Sequence, residues 1–305
     1  MKVFVTGAGG FIGSHITRAL VNAGHDVLAL ATKNDNLWRL QDILPRLDVL
    51  RGALQELPKL QTRLHAWQPK TCIHLAWYAE PGKYLNAPEN LGSLQASLKL
   101  LQALTSCGCN QLIGAGTCAE YEIKSTILAE SDKTKPETLY AASKLSFQVL
   151  GEQIARQSGL RFAWGRIFYL YGPQEDVRRL VPAAILKLQK NEVFSATPGE
   201  QQRDYLHVTD VANAFLTLAE QQATGIYNIC SAQPVTIKSL LDTIGSLMEK
   251  SNLLDHGALP YRDWEPMVIC GNNDKLKSLG WTPHTDLRSG LDDTINWWHQ
   301  TLESR

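Results

Sequence analysis

Nowhere in the 305 residues does an apolar run approach the roughly 20 residues that a membrane-spanning helix requires, so a helical membrane protein is excluded. The N-terminus has no apolar h-region or cleavage site; residues 2–5 read directly as a strand, and the expected location is the cytoplasm. Neither sign of charge is in excess. Thirty Lys and Arg face thirty Asp and Glu, so no global field points to nucleic acid or to an anionic membrane surface. An anionic ligand must therefore be held by local groups. Cysteine is sparse, with six residues scattered along the chain. The C-x-C at Cys107 and Cys109 has no second pair, so no metal site is expected, and the six read as reduced core residues. There is also no internal repeat, low-complexity stretch or flexible linker.

What is present is alternation. The apolar pattern predicts strands at 2–6, 25–31, 47–51, 71–76, 110–114 and 161–168, and helices at 12–23, 37–44, 57–67, 90–107 and 139–158. This order argues an α/β fold, a Rossmann-type doubly wound parallel sheet. After Gly172-Pro173 the rhythm changes to helices at 180–190, 208–221, 237–249 and 291–302, a strand at 226–230, and loops containing Pro and Trp. A smaller α/β C-terminal substrate lobe is expected there. The boundaries are 1–172 for the dinucleotide-binding domain and 173–305 for the second, with the chain returning to the first around 206–230. Trp297 and Trp298 share helical spacing with Leu291, Ile295 and Leu302 and read as core.

Between the first strand and helix lies Thr6-Gly7-Ala8-Gly9-Gly10-Phe11-Ile12-Gly13. Gly7, Gly10 and Gly13 form G-x-x-G-x-x-G. Such a turn brings backbone close to a pyrophosphate and aims a helix N-terminus at its charge. Ribose selectivity is read after the second strand, where a carboxylate bonds a 2′-hydroxyl and repels a 2′-phosphate. Here that strand ends in Thr32-Lys33, a hydroxyl and a cation, which favours NADP(H); Asp35 lies near enough to keep NAD(H) open.

Tyr140 and Lys144 are four apart on a predicted helix and share one face. A lysine there can depress the phenol by its charge, making a proton donor and acceptor available near neutral pH. With the glycine turn, the pair points to hydride chemistry on a carbinol or ketone. His74, in an apolar strand, and His207 read as structural histidines.

Taken with His74-Leu75-Ala76, Thr117, Tyr171-Gly172-Pro173 and 203–210, these motifs resemble the extended short-chain dehydrogenase/reductase family, also called the NAD-dependent epimerase/dehydratase family. The resemblance covers nearly the whole chain. It implies a Rossmann domain with a nucleotide-sugar domain, and Tyr140, Lys144 and Thr117 as the catalytic group. Thr117 would bond the substrate oxygen that Tyr140 protonates. The implied cofactor contacts are Gly7, Gly10, Phe11, Ile12, Gly13, Thr32, Lys33, Ala53, Leu54, Leu75, Ala76, Asn90 and Phe168, with Tyr140 and Lys144. Asn90 reads equally as a helix N-cap. A homodimer through the two long helices, 90–107 and 139–158, is also implied.

The family's sugar 4,6-dehydratases resemble one another in an Asp-Glu pair after the threonine. Cys118 and Ala119 stand there in this chain, and Glu120 falls one position late, so a dehydratase is disfavoured. A nucleotide-diphosphate 4-keto-6-deoxyhexose reductase is the favoured reading, with a nucleotide-sugar 4-epimerase holding NAD as the alternative. A sensor without turnover is disfavoured because the tyrosine, lysine and threonine are all kept. On the substrate side the candidates are Trp77, Tyr78, Tyr169, Val181, Arg203 and Arg262. Arginine suits a diphosphate because its planar fork donates paired hydrogen bonds. Arg178 and Arg179 read as a solvated face. Two departures stand out: Tyr169 where many members carry Asn, and Ala53 where many carry Asp.

Overall fold

The computed structural model describes residues 1–303 except Ser125 and Trp264, and the side chains of residues 57–59, 302 and 303 lie outside the described set. Along the chain run β1 (Lys2–Thr6), α1 (Phe11–Asn22), β2 (Asp26–Ala31), β3 (Asp48–Arg51), α2 (Leu57–Trp67), β4 (Thr71–His74), α3 (Glu89–Ser106) and β5 (Gln111–Thr117). Next come β6 (Ile127–Leu128), α4 (Leu139–Ser158), β7 (Arg161–Ile167), β8 (Tyr169–Tyr171), α5 (Leu180–Gln189), β9 (Phe194–Ala196), β10 (Gln202–His207) and α6 (Val208–Glu220). The last elements are β11 (Gly225–Ile229), β12 (Pro234–Thr236), α7 (Ile237–Leu247), β13 (Leu254–His256), β14 (Val268–Gly271), α8 (Asp274–Lys277) and α9 (Leu287–Glu303).

Seven strands form one parallel sheet in the order β11-β7-β5-β4-β1-β2-β3. Its strands are apolar on both faces because helices cover both. Val3 and Val5 of β1 point to one layer, with Ile16, Leu20, Val211 and Phe215 from α1 and α6. Phe4 points the other way, with Leu100, Leu104, Phe147 and Trp164 from α3, α4 and β7. This is the doubly wound α/β fold expected from the alternation. The strand order reverses between β1 and β4, so the loops after Thr6 and His74 diverge and open a crevice at the sheet's C-terminal edge.

The second, smaller sheet runs β12-β10-β14-β6, with β8 also paired to β10. Helices α5, α7 and α9 close its core around Val181, Ile185, Leu240, Ile244, Leu291 and Trp298. Between the sheets the chain passes back, and β11 pairs with β7 at the edge of the large sheet.

Two segments differ from the sequence expectation. Residues 37–44 form no α-helix but two 3-10 turns, Trp38–Leu40 and Leu44–Arg46. The Asp35 and Asn36 side chains accept from the N–H groups of Leu37 and Trp38, and Leu37 sits at φ 52, so side chains replace the helical ladder. Before the helix expected at 208, where the pattern assigned no strand, residues 202–207 are extended. This is β10 running straight into α6, its apolar signal masked by the charged Arg203 and Asp204 buried within it.

Candidate active site

The glycine turn is pressed against the segment after β4. Gly7 sits at φ 74, and a Cβ there would meet the Ala76 nitrogen at 2.8 Å and the Leu75 carbonyl carbon at 3.0 Å. A Cβ on Gly13 would strike the Gly7 carbonyl. Gly10 donates to that carbonyl at 3.1 Å and caps α1 in an extended conformation with no side-chain cap. The N–H groups of Phe11, Ile12 and Gly13 find no acceptor among the described residues, and no acidic residue occupies the first turn. Unsatisfied donors and a positive helix end fit a pyrophosphate. The half-buried Leu75 and Ala76 form the opposite lip, tied to β1 by the Ala76 N–H donating to Thr6 Oγ1 at 3.3 Å. His74 shares hydrogen bonds with Thr6 Oγ1 (2.7 Å) and Ser97 Oγ (2.8 Å), and burial pulls it down to about 3; it is a neutral core histidine.

The ribose end requires a correction. Thr32 and Lys33 are exposed, and the chain then folds back on itself. Asp35 accepts from Leu37 N–H at 2.8 Å through one oxygen, while its other oxygen stands directly against Gly9. A carboxylate therefore flanks the glycine turn, although none ends the strand. The turn built by Asp35 and Asn36 carries it there, and this is the carboxylate on whose account the sequence kept NAD(H) open. Ala53 is half-buried with its N–H donating to Glu56 Oε2 at 3.3 Å, and the Leu54 side chain lies in the core, leaving only backbone to face a ligand.

Tyr140 and Lys144 lie in the first turns of α4, whose Thr138 side chain caps it by accepting from Ala141 N–H at 3.2 Å. Lys144 Nζ donates to the Ala115 carbonyl of β5 at 2.8 Å and lies 4.1 Å from the Trp77 ring centre and 5.9 Å from that of Tyr140. Tyr140 meets Tyr84 edge-to-face at 4.8 Å. Thr117 ends β5 in a capping box: its Oγ1 accepts from Ala119 N–H at 3.2 Å, and its N–H donates to Glu120 Oε1 at 2.9 Å. The Thr117 hydroxyl keeps its own proton to donate. The structure thus gathers all three side chains at the C-terminal edge of the sheet.

The electrostatics differ from expectation. Burial pushes the Tyr140 phenol above its ordinary value, Tyr84, Glu120 and Cys118 add to that, and Arg179 opposes it. Burial pulls Lys144 down to about 7, with Glu120 opposing. Lys144 does not hold the phenol down in the free protein, because its ammonium is turned to the Ala115 carbonyl and the Trp77 face. Glu120 is fully buried, paired with Arg166 Nε at 2.8 Å and bonded by Trp164 Nε1 at 3.1 Å. Burial pushes the Cys118 thiol up to about 12. Burial pushes the Glu120 carboxyl up as well, and its oxygens are engaged by the Thr117 N–H, Trp164 and Arg166.

Three further expectations change. Asn90 neither caps α3, whose N-cap is Pro88, nor offers its amide to a cofactor. It is fully buried, accepts from Trp77 Nε1 at 2.8 Å, and donates to the carbonyls of Tyr84 (2.7 Å) and Ala87 (2.9 Å). The Phe168 ring is 4 % exposed and packs with Tyr121, Cys230 and Ile269, so it has no face left for a cofactor. Val181 is 2 % exposed; one helical turn from Ala184 and Ile185, it faces the C-terminal core instead of the cleft.

On the substrate side, Trp77 and Tyr78 are half-buried, with the Tyr78 N–H donating to Ser93 Oγ at 3.3 Å. Tyr169 packs against Tyr205 at 5.6 Å. Arg203 is buried, ion-paired with Glu265, and lies 5.5 Å from the Tyr169 ring. Arg262 is exposed in the loop before β14, where its carbonyl accepts from the Glu265 N–H at 2.9 Å. Arg178 is the solvated residue expected, paired with Asp176 (2.7 Å) and Glu80 (2.6 Å). Its neighbour was misjudged. Arg179 is the extended N-cap of α5 and is half-buried. Its guanidinium lies 5.5 Å from the Tyr84 ring, and its charge draws Tyr140, Tyr205 and Glu175 downward against burial. Glu175, also unflagged, is buried with one oxygen unpartnered, and burial pushes it up to about 8.

A family model described as the NAD dependent epimerase/dehydratase family matches residues 3–230. The chain is 27% identical to a CDP-abequose synthase of Salmonella typhimurium over 96% of its own length and 97% of the relative's. It is 26% identical to a UDP-glucose 4-epimerase of Rhizobium meliloti, over 97% and 96%. Among solved structures, that of MoeE5 in complex with UDP-glucose and NAD superposes with a TM-score of 0.84 at 26% identity, covering 99% of this chain and all of the other (100%).

Proposed function

Because the chain belongs to the NAD-dependent epimerase/dehydratase family, whose members are enzymes, we propose that it reduces the keto group of a nucleotide-diphosphate (deoxy)sugar. The observation that carries this reading is the gathering of Tyr140, Lys144 and Thr117 beside a glycine turn, with Glu120 and Cys118 buried. One proton donor and one hydride path suffice for carbonyl reduction, whereas loss of water from the sugar needs further acid and base groups. Similarity to a CDP-abequose synthase supports the same class of substrate.

Bound in the glycine turn, a nicotinamide dinucleotide supplies the hydride. The Phe11, Ile12 and Gly13 N–H groups would hold its pyrophosphate, and Leu75 and Ala76 would border it. Tyr140 donates its phenolic proton to the keto oxygen, Thr117 bonds that oxygen, and the Lys144 charge favours the phenolate left behind. Arg179 and Arg203 are the cations available to the diphosphate, with Tyr169 and Tyr205 between the sheets. The C-terminal lobe, residues 173–305 outside the return at 206–230, is the nucleotide-sugar half. Asp35 against Gly9 supports NAD(H) over NADP(H), as does the NAD found with MoeE5.

That carboxylate also favours a second reading, a 4-epimerase that retains NAD, in line with the relative from Rhizobium meliloti. The discriminating experiment is to denature freshly purified protein and identify the dinucleotide released. Stoichiometric NAD⁺ surviving dialysis supports the epimerase. An empty protein that turns over nucleotide-linked 4-keto-6-deoxy sugars with added NADH supports the reductase. A cytoplasmic homodimer completes the proposal, supported by Leu91 on α3 and Val149 and Leu150 on α4, which are 52%, 50% and 44% exposed.

A further inference from the structure

We propose that Asn90 is a positioning residue for the catalytic pair: one buried amide fixes Trp77 beneath Lys144 and the Tyr84 turn against Tyr140. The inference rests on the reading of Tyr140 and Lys144 as the reacting group. Both N–H donors of the amide are used, and its oxygen is engaged. Its oxygen accepts the Trp77 indole N–H at 2.8 Å, and its nitrogen donates to the Tyr84 and Ala87 carbonyls at 2.7 and 2.9 Å. These bonds lead to the two aromatic rings that touch the pair. Trp77 presents its face to Lys144 Nζ at 4.1 Å, and Tyr84 presents its ring edge-to-face with Tyr140 at 4.8 Å. Residues 75–88 carry no α-helix or strand of their own, only a 3-10 turn at Tyr84–Asn86, and the Asn90 amide ties that turn to the Trp77 indole.

The two arms act differently. The Trp77 face attracts a cation and works against the burial that draws Lys144 down. Other groups facing Lys144 are Tyr140 on its own helix, His74 at the end of β4, held neutral, and Glu120 beyond β5, paired with Arg166. Trp77 is therefore the group in that shell whose removal costs Lys144 its charge without removing a charge of its own. The Tyr84 arm is steric: it limits where the Tyr140 ring can swing.

The test compares Trp77→Leu, Trp77→Phe, Tyr84→Leu and Asn90→Ala with the parent, using Tyr140→Phe and Lys144→Met as references. In the free protein, the Lys144 side chain is titrated by NMR with carbon-labelled lysine, assigned through Lys144→Met. Trp77→Leu is expected to lower its midpoint by about one pH unit, and Trp77→Phe, which keeps a ring face, to restore most of it. In turnover, activity falls as pH rises through the Lys144 midpoint, so the upper limb of the profile moves to lower pH in Trp77→Leu. Tyr84→Leu is expected to lower kcat about tenfold with the Lys144 midpoint unchanged and substrate KM held within about threefold. Asn90→Ala combines both effects; should it fail to fold, the Trp77 and Tyr84 variants carry the test. Trp77→Leu with the parent's midpoint and Tyr84→Leu with the parent's kcat, both folded, would overturn the proposal. A fully active Tyr140→Phe would instead overturn the underlying reading of the site, whatever the Asn90 variants do.

Discussion

Along 6–14 the groups that face the crevice are backbone N–H donors of one short turn, whereas across it they are side chains from separated segments: Tyr84, Tyr140, Arg179 and Arg203. The first wall is fixed by glycines that admit no side chain, so its geometry belongs to the local sequence. The second wall exists only when the two sheets are assembled. Backbone donors cannot be retuned by substitution without breaking the turn. The side-chain wall can be retuned one charge at a time, which is where substrate choice can vary on a constant cofactor cradle.

The sharpest way to test this division is to remove chemistry from the second wall and ask whether the first notices. Tyr140→Phe is expected to lower kcat by about 10³-fold or more while dinucleotide affinity, measured by calorimetry, stays within about threefold of the parent. Parallel losses in both would mean the walls are not separable. A smaller effect is expected from the cations. The Arg179 guanidinium has no hydrogen bond or ion pair among the described residues, while that of Arg203 already holds Glu265. Arg179→Gln should weaken binding of a nucleoside diphosphate by about tenfold or more at constant cofactor affinity, the worth of one charge-assisted hydrogen bond. Arg203→Gln should instead lower the melting temperature first, since it leaves Glu265 without its partner.

The same division explains what could be read from the sequence. The alternation of strands and helices, the glycine turn and the Tyr140–Lys144 face follow from short-range patterns, and all appear where expected. What was illegible depends on how a loop folds back or which way one residue points. Asp35 reaches Gly9 only through an Asx turn, Arg179 is distinguished from Arg178 only by an extended backbone at the α5 N-cap, and Asn90 is occupied only because Trp77 and Tyr84 converge on it. Val181 and Phe168 were misassigned because apolar residues at a cleft and in a core look alike in one dimension.

Asp35 gives the third prediction, and it tests whether the backbone wall has any adjustable part. Replacing the carboxylate with a neutral amide, Asp35→Asn, keeps the acceptor for the Leu37 N–H and removes the charge beside Gly9. The ratio of NAD(H) to NADP(H) affinity should then fall by about tenfold, equivalent to ~1.4 kcal/mol, because a repelled 2′-phosphate becomes tolerated. Arg51 and Lys33 stand nearby to receive it. An unchanged ratio would mean that Asp35 shapes the turn alone.

The smallest effect separates the walls by stability instead of binding. Glu175 has one oxygen without a partner, and burial pushes its carboxyl up to about 8 in the folded chain against 4.5 when exposed. Between those values the folded protein binds a proton that the unfolded chain has released, so stability is fully present below about pH 4.5 and declines as pH rises through 8. Glu175→Gln cannot titrate and keeps the shape. Its melting temperature should match the parent near pH 4, exceed it increasingly as pH rises from about 4.5 to 8, and stay several degrees above it at about pH 9, where the parent must bury a carboxylate. If a bound nucleoside diphosphate abolishes the divergence in the parent, Glu175 faces the same space as Arg179, and the side-chain wall extends to it. If the divergence persists with ligand bound, Glu175 lies behind that wall as a structural residue, and the charges available for substrate choice narrow to the two arginines.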